Sequence, residues 1–147
     1  MSTHAYNKSF FHMVWSTKDK KPYINKNIRK KVHAYICGIA ARKNLSLLCI
    51  GGISNHVHIL IELNNHEIFL SNIARILKVN SSKFIRDNFI QNFEWQRGYS
   101  SFTVDSFCVP RIEKYILNQE KHHESVDFDE ELNYIVLRYN KYSKKNT

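Results

Sequence analysis

Residues 56–63, His-Val-His-Ile-Leu-Ile-Glu-Leu, constrain the fold of this chain more than any other segment. The side chains of a strand alternate between its two faces, so every second residue shares a side. Val57, Ile59, Ile61 and Leu63 fall on one face, and His56, His58, Leu60 and Glu62 fall on the other. The segment is therefore predicted to be a strand with one apolar face and two histidines on the opposite face.

Three further segments are predicted strands because apolar, aromatic or β-branched residues dominate them. They are residues 6–17, 45–50 and 99–104. The second of these is expected to stop at the pair Gly51-Gly52 and to form a hairpin with residues 56–63.

Two segments with apolar residues at helical spacing are predicted helices, residues 25–43 and 67–89. A third helix is expected to begin at Pro110 and to run to about His123. The order β-α-β-β-α-β plus a helix predicts an α+β, ferredoxin-like (RRM-like) fold. This fold is an antiparallel sheet with two helices on one face.

The length of the chain suits a single domain, and its charge suits a polyanionic partner. We predict one domain over residues 1–147, with a core of about 6–123 and a tail of about 124–147 that forms a short docked helix with a frayed end. The 22 Lys and Arg against 13 Asp and Glu give a net charge of +9, which favours nucleic acid, although a solvated basic surface gives the same count.

Cysteine usage and hydropathy favour the cytoplasm. Cys37, Cys49 and Cys108 are widely spaced and odd in number, which is typical of reduced thiols. No signal peptide is evident, and no apolar run is long enough to span a bilayer. We therefore expect a cytoplasmic protein without a membrane partner.

His56 and His58 give the most specific local indication of chemistry. Two residues apart on a strand, their side chains point to the same side and can share one metal ion, for which neutral imidazole is a common ligand. Either could instead be an ordinary surface or core histidine. Glu62 on the same face is either a partner that orients a ligand histidine or a plain carboxylate at the end of the strand.

The third predicted helix carries a polar stripe at i, i+4, i+7 and i+8, formed by Tyr115, Gln119, His122 and His123. A tyrosine phenolate can attack phosphorus and leave a covalent ester. The carbonyl oxygen of a glutamine one turn later can bind the same metal. Spacing alone favours the plainer interpretation, an amphipathic helix whose tyrosine keeps its hydroxyl in solvent.

Taken together, these motifs resemble the single-tyrosine transposases of the HUH class. These are the IS200-like enzymes of small bacterial insertion sequences, with host-borne relatives associated with repetitive palindromes. The likeness rests on FFHMVWSTKDKKPYI, NHVHIL, WQRGYSSFTV and EKYILNQEKHH in this order, and it extends to about Leu132. In that family the paired histidines bind the metal, the tyrosine of Tyr-Ile-x-Asn-Gln is the nucleophile, and the glutamine completes the metal site.

Carried over residue by residue, the resemblance implies Tyr115 as the nucleophile and His56, His58 and Gln119 as ligands of Mg²⁺ or Mn²⁺. It implies a DNA transposase that cleaves and rejoins single-stranded DNA beside a hairpin through a 5′-phosphotyrosine. It also implies a homodimer in which the tyrosine helix of one chain meets the histidine pair of the other. Tyr99 is the rival nucleophile, but it matches a structural position of the family motif.

Several assignments stay open. His122 or His123 could compete with Gln119 as a ligand, and the metal, Lys114 or Lys121 could assist deprotonation of the tyrosine. Phosphate contacts are expected from seven basic residues, each of which could also be only a solvated charge. They are Arg75, Lys78, Lys83 and Arg86 on the second predicted helix, and Lys18, Lys20 and Lys21 after the first strand.

Three other functions fit parts of the sequence. The first is a non-catalytic RRM-like module that stacks bases on Phe10, His12 and Val14 of the first strand. The second is a degenerate transposase kept for DNA binding alone. The third is a host-retained hairpin nuclease, whose chemistry is that of the mobile-element enzyme and which only genomic context distinguishes.

Overall fold

A computed structural model describes residues 6–64 and 68–143 of the chain. The described residues form four strands: β1 (Ser9–Ser16), β2 (Ser46–Ile53), β3 (His56–Leu63) and β4 (Ser100–Val104). The helices are α1 (Lys26–Arg42), α2 (Leu70–Asn88), α3 (Val109–Leu117), α4 (Gln119–His122) and α5 (Phe128–Ser143). The predicted start of the second helix, Glu67, lies outside the described residues.

The predicted fold class is confirmed. The strands form one sheet in the order β2-β3-β1-β4, and every neighbouring pair is antiparallel. The hairpin between β2 and β3 is present, and β3 covers residues 56–63 as its alternation predicts. The central strands β1 and β3 pair along their whole length, so each presents alternate residues to both faces of the sheet.

One face of the sheet packs against α1 and α2 and forms the main apolar core. Met13 and Trp15 from β1 and Ile59 from β3 are fully buried there, together with Ile36 from α1 and Leu77 from α2. Burying each such side chain contributes about 1.5–3 kcal/mol. Because this face is continuous and apolar, it is the principal source of stability.

The pair Gly51-Gly52 does not end the second strand, and in this respect the sequence prediction was wrong. Strand β2 continues through both glycines to Ile53. A Cβ at Gly51 would lie 1.9 Å from the carbonyl oxygen of Ile116 in α3, and one at Gly52 would lie 2.2 Å from the carbonyl oxygen of His56. The glycines are thus positions of close backbone approach within a strand, and not a turn signal.

The third predicted helix is also shorter than expected, because it breaks at Asn118. Helix α3 ends at Leu117, and the four-residue α4 begins at Gln119. The tail contains a longer helix than predicted, since α5 spans 16 residues. The side chain of Glu131 in α5 reaches the sheet and is 2% exposed. The predicted boundary at residue 124 therefore separates parts of one packed structure.

Helices α3, α4 and α5 cover the second face of the sheet. A small apolar cluster of Leu60, Val104 and Ile116 holds α3 there, with Phe10 packed against it. His12 and Val14 of β1 point to the same side and are 4% and 2% exposed. The first strand therefore offers no open platform for stacking bases, which contradicts the RRM-like alternative.

No helix among residues 6–64 and 68–143 combines the length and apolarity that crossing a lipid bilayer requires.

Candidate active site

The paired histidines lie at the centre of the second face of the sheet. His56 and His58 project from β3 toward the helical cover, and both side chains are fully buried. Strand β1 flanks them on one side and β2 on the other, with Val14 opposite His58 and Gly51 opposite it on β2. Being held by neighbouring strands on both sides fixes the spacing of the two imidazoles.

Gln119 reaches the pair from the first residue of α4. Its side chain is 1% exposed, and its Oε1 lies 2.9 Å from Nε2 of His56. The break at Asn118 separates Gln119 from the helix of Tyr115, so the two residues do not form the regular i, i+4 stripe that the sequence predicted. Nevertheless both side chains point into the same cluster.

Glu131 of α5 is the residue that joins the cluster, and the sequence analysis missed it. Its Oε1 lies 2.9 Å from Nε2 of His58 and 3.3 Å from Nε2 of His56. Its Oε2 accepts hydrogen bonds from the Gln119 amide at 3.1 Å and from the Tyr115 hydroxyl. One carboxylate thus contacts all four residues that the sequence singled out.

The local sequence could not have identified Glu131. Residues 127–131 contain four acidic side chains, and only tertiary packing decides which one turns inward. Phe128 supplies that packing, because its ring stacks on the imidazole of His56 at a centroid distance of 4.5 Å. An apolar residue three positions before an acidic one at a helix start was the available signal, and it was too weak to use.

Tyr115 of α3 lies at the edge of the cluster, half-buried. Its hydroxyl donates to Glu131, and its ring meets that of His58 edge-on at 5.8 Å. The rival Tyr99 packs against the apolar core on the other side of the sheet. Tyr115 is therefore the tyrosine that the fold brings to the histidines.

His123 joins the cluster and His122 borders it. Nε2 of His123 lies 3.0 Å from Oε1 of Gln119 and 3.2 Å from Oε1 of Glu131. Nε2 of His122 lies 3.3 Å from Oε2 of Glu131 without the geometry of a hydrogen bond. Neither histidine takes the place of Gln119. His123 instead adds one more potential metal-ligating nitrogen beside the Gln119 oxygen.

His12 extends the cluster into β1. Its Nε2 lies 2.7 Å from Nδ1 of His58, and the two rings stack with centroids 5.0 Å apart. This hydrogen bond fixes the orientation of the His58 ring and leaves its Nε2 facing Glu131.

Burial controls the protonation of the cluster. Desolvation lowers the pKa of His12 to about 3 and that of His58 to about 4, so both imidazoles are neutral near pH 7. Burial also opposes ionisation of Glu131, but hydrogen bonds from His56 and His58 outweigh it and hold the pKa of this carboxyl far below its usual range. Burial, followed by the hydrogen bond to Glu131, raises the pKa of Tyr115.

The donor set of the cluster fits a divalent cation. Nδ1 of His123 donates to the backbone carbonyl of Val126, and burial lowers the pKa of this ring, so the lone pair of its Nε2 faces Oε1 of Gln119. Lone pairs about 3 Å apart repel unless a positive charge lies between them. The donor atoms of His56, His58 and Glu131 all lie within 4.8 Å of one another. Imidazole nitrogens combined with amide and carboxylate oxygens suit transition metals and, less well, Mg²⁺.

Three residues with predicted supporting roles, either in orienting a histidine or in deprotonating the tyrosine, do not contact the cluster. Glu62 forms an ion pair with Lys8 at 2.9 Å and accepts from Ser46, so it orients no histidine. Lys114 and Lys121 are exposed, and the contact to the Tyr115 hydroxyl comes from Glu131.

The seven predicted phosphate contacts are not part of the cluster. The four on α2 lie on the helix that packs against the opposite face of the sheet. Three of the seven form surface ion pairs: Lys18 with Glu94, Lys20 with Asp129 and Lys83 with Asp87. Solvent screens such exposed pairs, so they are weak and can yield to a phosphate. The bond from Lys20 to Asp129 places the turn after β1 beside the start of α5.

A family model described as "Transposase IS200 like" matches residues 5–119. The chain belongs to the IS200-like transposase family. The match includes His56, His58, Tyr115 and Gln119 and ends before Glu131.

Solved structures agree with this assignment at the level of the fold. A candidate transposase from Deinococcus radiodurans R1 superposes with a TM-score of 0.65 at 20% identity, covering 81% of this chain and 96% of that one. A REP-associated tyrosine transposase bound to a REP hairpin superposes with a TM-score of 0.62 at 13% identity, covering 86% of this chain and 75% of that one. No curated protein matches the sequence significantly.

Proposed function

We propose that this transposase cleaves and rejoins single-stranded DNA at hairpin-flanked sites through a covalent 5′-phosphotyrosine formed on Tyr115. The observation that carries the proposal is the shared carboxylate. Glu131 contacts the hydroxyl of Tyr115 on one oxygen and Nε2 of His58 on the other. A nucleophile and a cluster of metal-type donors therefore converge on one point.

The chemistry follows from the groups around Tyr115. Its oxygen attacks the scissile phosphorus, the bond to the 3′ oxygen of the neighbouring nucleotide breaks, and a 3′-hydroxyl leaves. The hydrogen bond to Glu131 orients the Tyr115 hydroxyl. The phenol proton is released to solvent as the new P–O bond forms, and the leaving 3′ oxygen takes up a proton from solvent. Because the phosphotyrosyl ester replaces one phosphodiester bond by another, a second 3′-hydroxyl can reverse the reaction and join new ends.

His56, His58, Gln119 and Glu131 are the residues that would hold Mg²⁺ or Mn²⁺. When bound, such an ion offsets negative charge on the phosphate oxygens during attack. The protein fixes these ligands itself, because His12 orients His58, Asn55 orients His56 and Phe128 holds the start of α5.

A DNA hairpin is the proposed recognition element. The support is the fold shared with a REP-associated tyrosine transposase that was solved with a REP hairpin. The seven basic residues outside the cluster are proposed to contact the DNA backbone away from the cleaved bond. A host-retained hairpin nuclease is the second candidate, favoured by the same structural likeness and identical in chemistry.

The shared active site of a homodimer stays a prediction. Within one chain, Tyr115 and His58 already reach the same carboxylate. A mixture of Tyr115→Phe and His58→Ala proteins tests the two arrangements. Covalent product from the mixture would support exchange of the tyrosine helix between chains, and its absence would favour a site built within each chain.

The proposed function is tested by incubating the protein with end-labelled single strands that contain imperfect hairpins, with Mn²⁺ or with EDTA. We expect label to migrate with the protein on denaturing gels only with the metal, and not with Tyr115→Phe. Tight hairpin binding without any adduct would contradict the catalytic proposal and favour a degenerate DNA-binding transposase.

A further inference from the structure

A cavity of about 770 Å³ opens beside Tyr115, between β4, α3 and α5. Its inner wall includes His12, Tyr115 and Glu131, so it is continuous with the cluster described above. Pockets of about 300–1,000 Å³ enclose single small molecules. The cavity therefore has room for one nucleotide and not for a base-paired duplex.

Two arginines line the cavity on the helices that carry the nucleophile and its acceptor. Arg111 precedes Tyr115 by four residues on α3, so the two side chains share a face of that helix. Arg138 lies on α5, and its guanidinium donates to the hydroxyl of Tyr134 at 3.2 Å. Both are exposed. A phosphate in reach of Tyr115 would thus have cationic groups on two sides.

Three carboxylates, Asp105, Glu130 and Glu131, line the same cavity, so the two arginines are local phosphate contacts and do not make the lining positive overall. Asp105 accepts a hydrogen bond from the backbone N–H of Phe107, and Glu130 is exposed to solvent, which screens its charge. Glu131 contacts His58 through Oε1 and the Tyr115 hydroxyl through Oε2.

Aromatic rings line the same space. Tyr134 is 61% exposed, and Arg138 lies over its ring at 5.7 Å. Tyr139 stacks on Phe102 at 4.9 Å, and its hydroxyl donates to the carbonyl of Thr103, which fixes the wall formed by β4. Exposed tyrosine rings beside arginines are typical of surfaces that bind unpaired nucleotides by stacking and charge.

We infer that this cavity binds one unpaired nucleotide next to the scissile phosphate. Arg111 and Arg138 contact its backbone phosphates, and Tyr134 stacks on its base. The inference rests on the proposed function and adds a binding site for the single strand. That site includes Arg138 and Tyr134, which lie on α5, outside the residues that the family model matches.

The chain contains its own reporter for this cavity. Cys108 is an exposed thiol on the cavity wall. Burial raises the pKa of the Cys49 thiol to about 12 and also raises that of Cys37, so both react more slowly with alkylating reagents. Iodoacetamide labelling near neutral pH therefore reports mainly on Cys108, and Cys108→Ser gives the background.

The test uses the full chain carrying Tyr115→Phe, with Mn²⁺ present, so that occupancy is measured without reaction. A ten-nucleotide single strand at saturation should slow alkylation of Cys108 at least fivefold, and a blunt duplex of the same sequence should not. Arg138→Gln and Arg111→Gln should each raise the half-protecting concentration about tenfold. Each should also reduce the salt dependence of log Kd by about 0.7.

Arg42→Gln is the matched control, because it removes the same charge from α1 on the other side of the sheet. It should change half-protection less than twofold. Equal protection by duplex, no protection by the single strand, or wild-type protection with both cavity variants would overturn the inference. Adduct formation by the wild type is scored separately. Adduct without Cys108 protection defeats this inference alone, and protection without adduct defeats only the proposed function.

Discussion

The two faces of one sheet differ in what they bury. Toward α1 and α2, the strands present apolar residues such as Met13 and Ile59. Toward α3, α4 and α5, the same strands present His12, His56 and His58, which are equally buried but polar. Alternate residues of a single strand thus serve two purposes, with the first face supplying stability and the second supplying chemistry.

Burying the polar face lowers the stability of the fold. Its histidines and carboxylate therefore indicate a face that is retained for function. Buried polar groups lose hydration and must find partners, and replacing a buried charged cluster by apolar residues is often neutral or stabilising. Glu131 recovers part of this cost through contacts with His58, Gln119 and Tyr115. Burial of the apolar face stabilises the fold enough to offset the remaining desolvation cost of the polar face.

The largest expected effect comes from removing the carboxylate at the centre of the polar face. Glu131→Gln should lower the rate of adduct formation by about 10²–10⁴, because it removes both the carboxylate that orients the Tyr115 hydroxyl and a proposed metal ligand. Quenched gel assays at saturating Mn²⁺ measure this rate. Glu124→Gln, an exposed carboxylate before α5, is the control and should react like the wild type. Equal rates for both variants would remove Glu131 from the site.

The second prediction compares two glycines. Gly51 of β2 faces α3, and Gly38 lies in α1 on the other side of the sheet. Gly51→Ala should slow adduct formation by about 10²-fold, since its Cβ would displace α3 and Tyr115 with it. Gly38→Ala in α1 has only a side-chain atom of Arg42 at 3.8 Å and should stabilise its helix by about 0.5–1 kcal/mol. If Gly51→Ala keeps the wild-type rate, α3 is not held in place by this close contact.

Neighbouring residues of β3 provide a matched pair for stability. Ile59 and Leu60 are both fully buried but face opposite sides. Each change to Ala should lower the free energy of unfolding by about 2–5 kcal/mol, as measured in urea. Among folded molecules, only Leu60→Ala should also slow the reaction, because Leu60 packs with Ile116 beneath Tyr115. Equal rates would show that the faces are not separate in function.

The smallest expected effect is a pH dependence of the free energy of unfolding, caused by His33 of α1 on the apolar side of the sheet. Burial, with help from Arg29, lowers the pKa of His33 in α1 from 6.5 to about 4. The unfolded chain then binds this proton more readily than the folded one, so stability should fall as the pH drops from about 6.5 toward 4. His33→Gln should flatten that part of the urea-stability profile. An unchanged slope would mean that His33 titrates normally in the folded state.

The spacing of apolar residues along the chain predicted the features that depend on local backbone geometry. The alternation in residues 56–63 gave the strand and the common side of His56 and His58, and the helical stripes gave α1 and most of α2. These features follow from neighbours in sequence, which a single chain displays fully.

Features that depend on distant parts of the chain were not predictable in the same way. Gly51 is glycine because Ile116, far along the chain, approaches it, and its sequence neighbourhood resembles a turn. Glu131 is one of four nearby acidic residues and is selected by packing of Phe128 on His56. The break at Asn118 likewise serves a contact between Gln119 and β3.

The most direct test of the central claim is to locate the DNA on the protein. Adduct formed with Mn²⁺ is digested with nuclease and trypsin, and the peptides are examined by mass spectrometry. The residual nucleotide is expected on residues 115–121, where Tyr115 is the single tyrosine. A nucleotide on residues 98–111, whose single tyrosine is Tyr99, or on any other peptide would contradict the claim that the nucleophile is Tyr115 of α3, beside the polar face of the sheet.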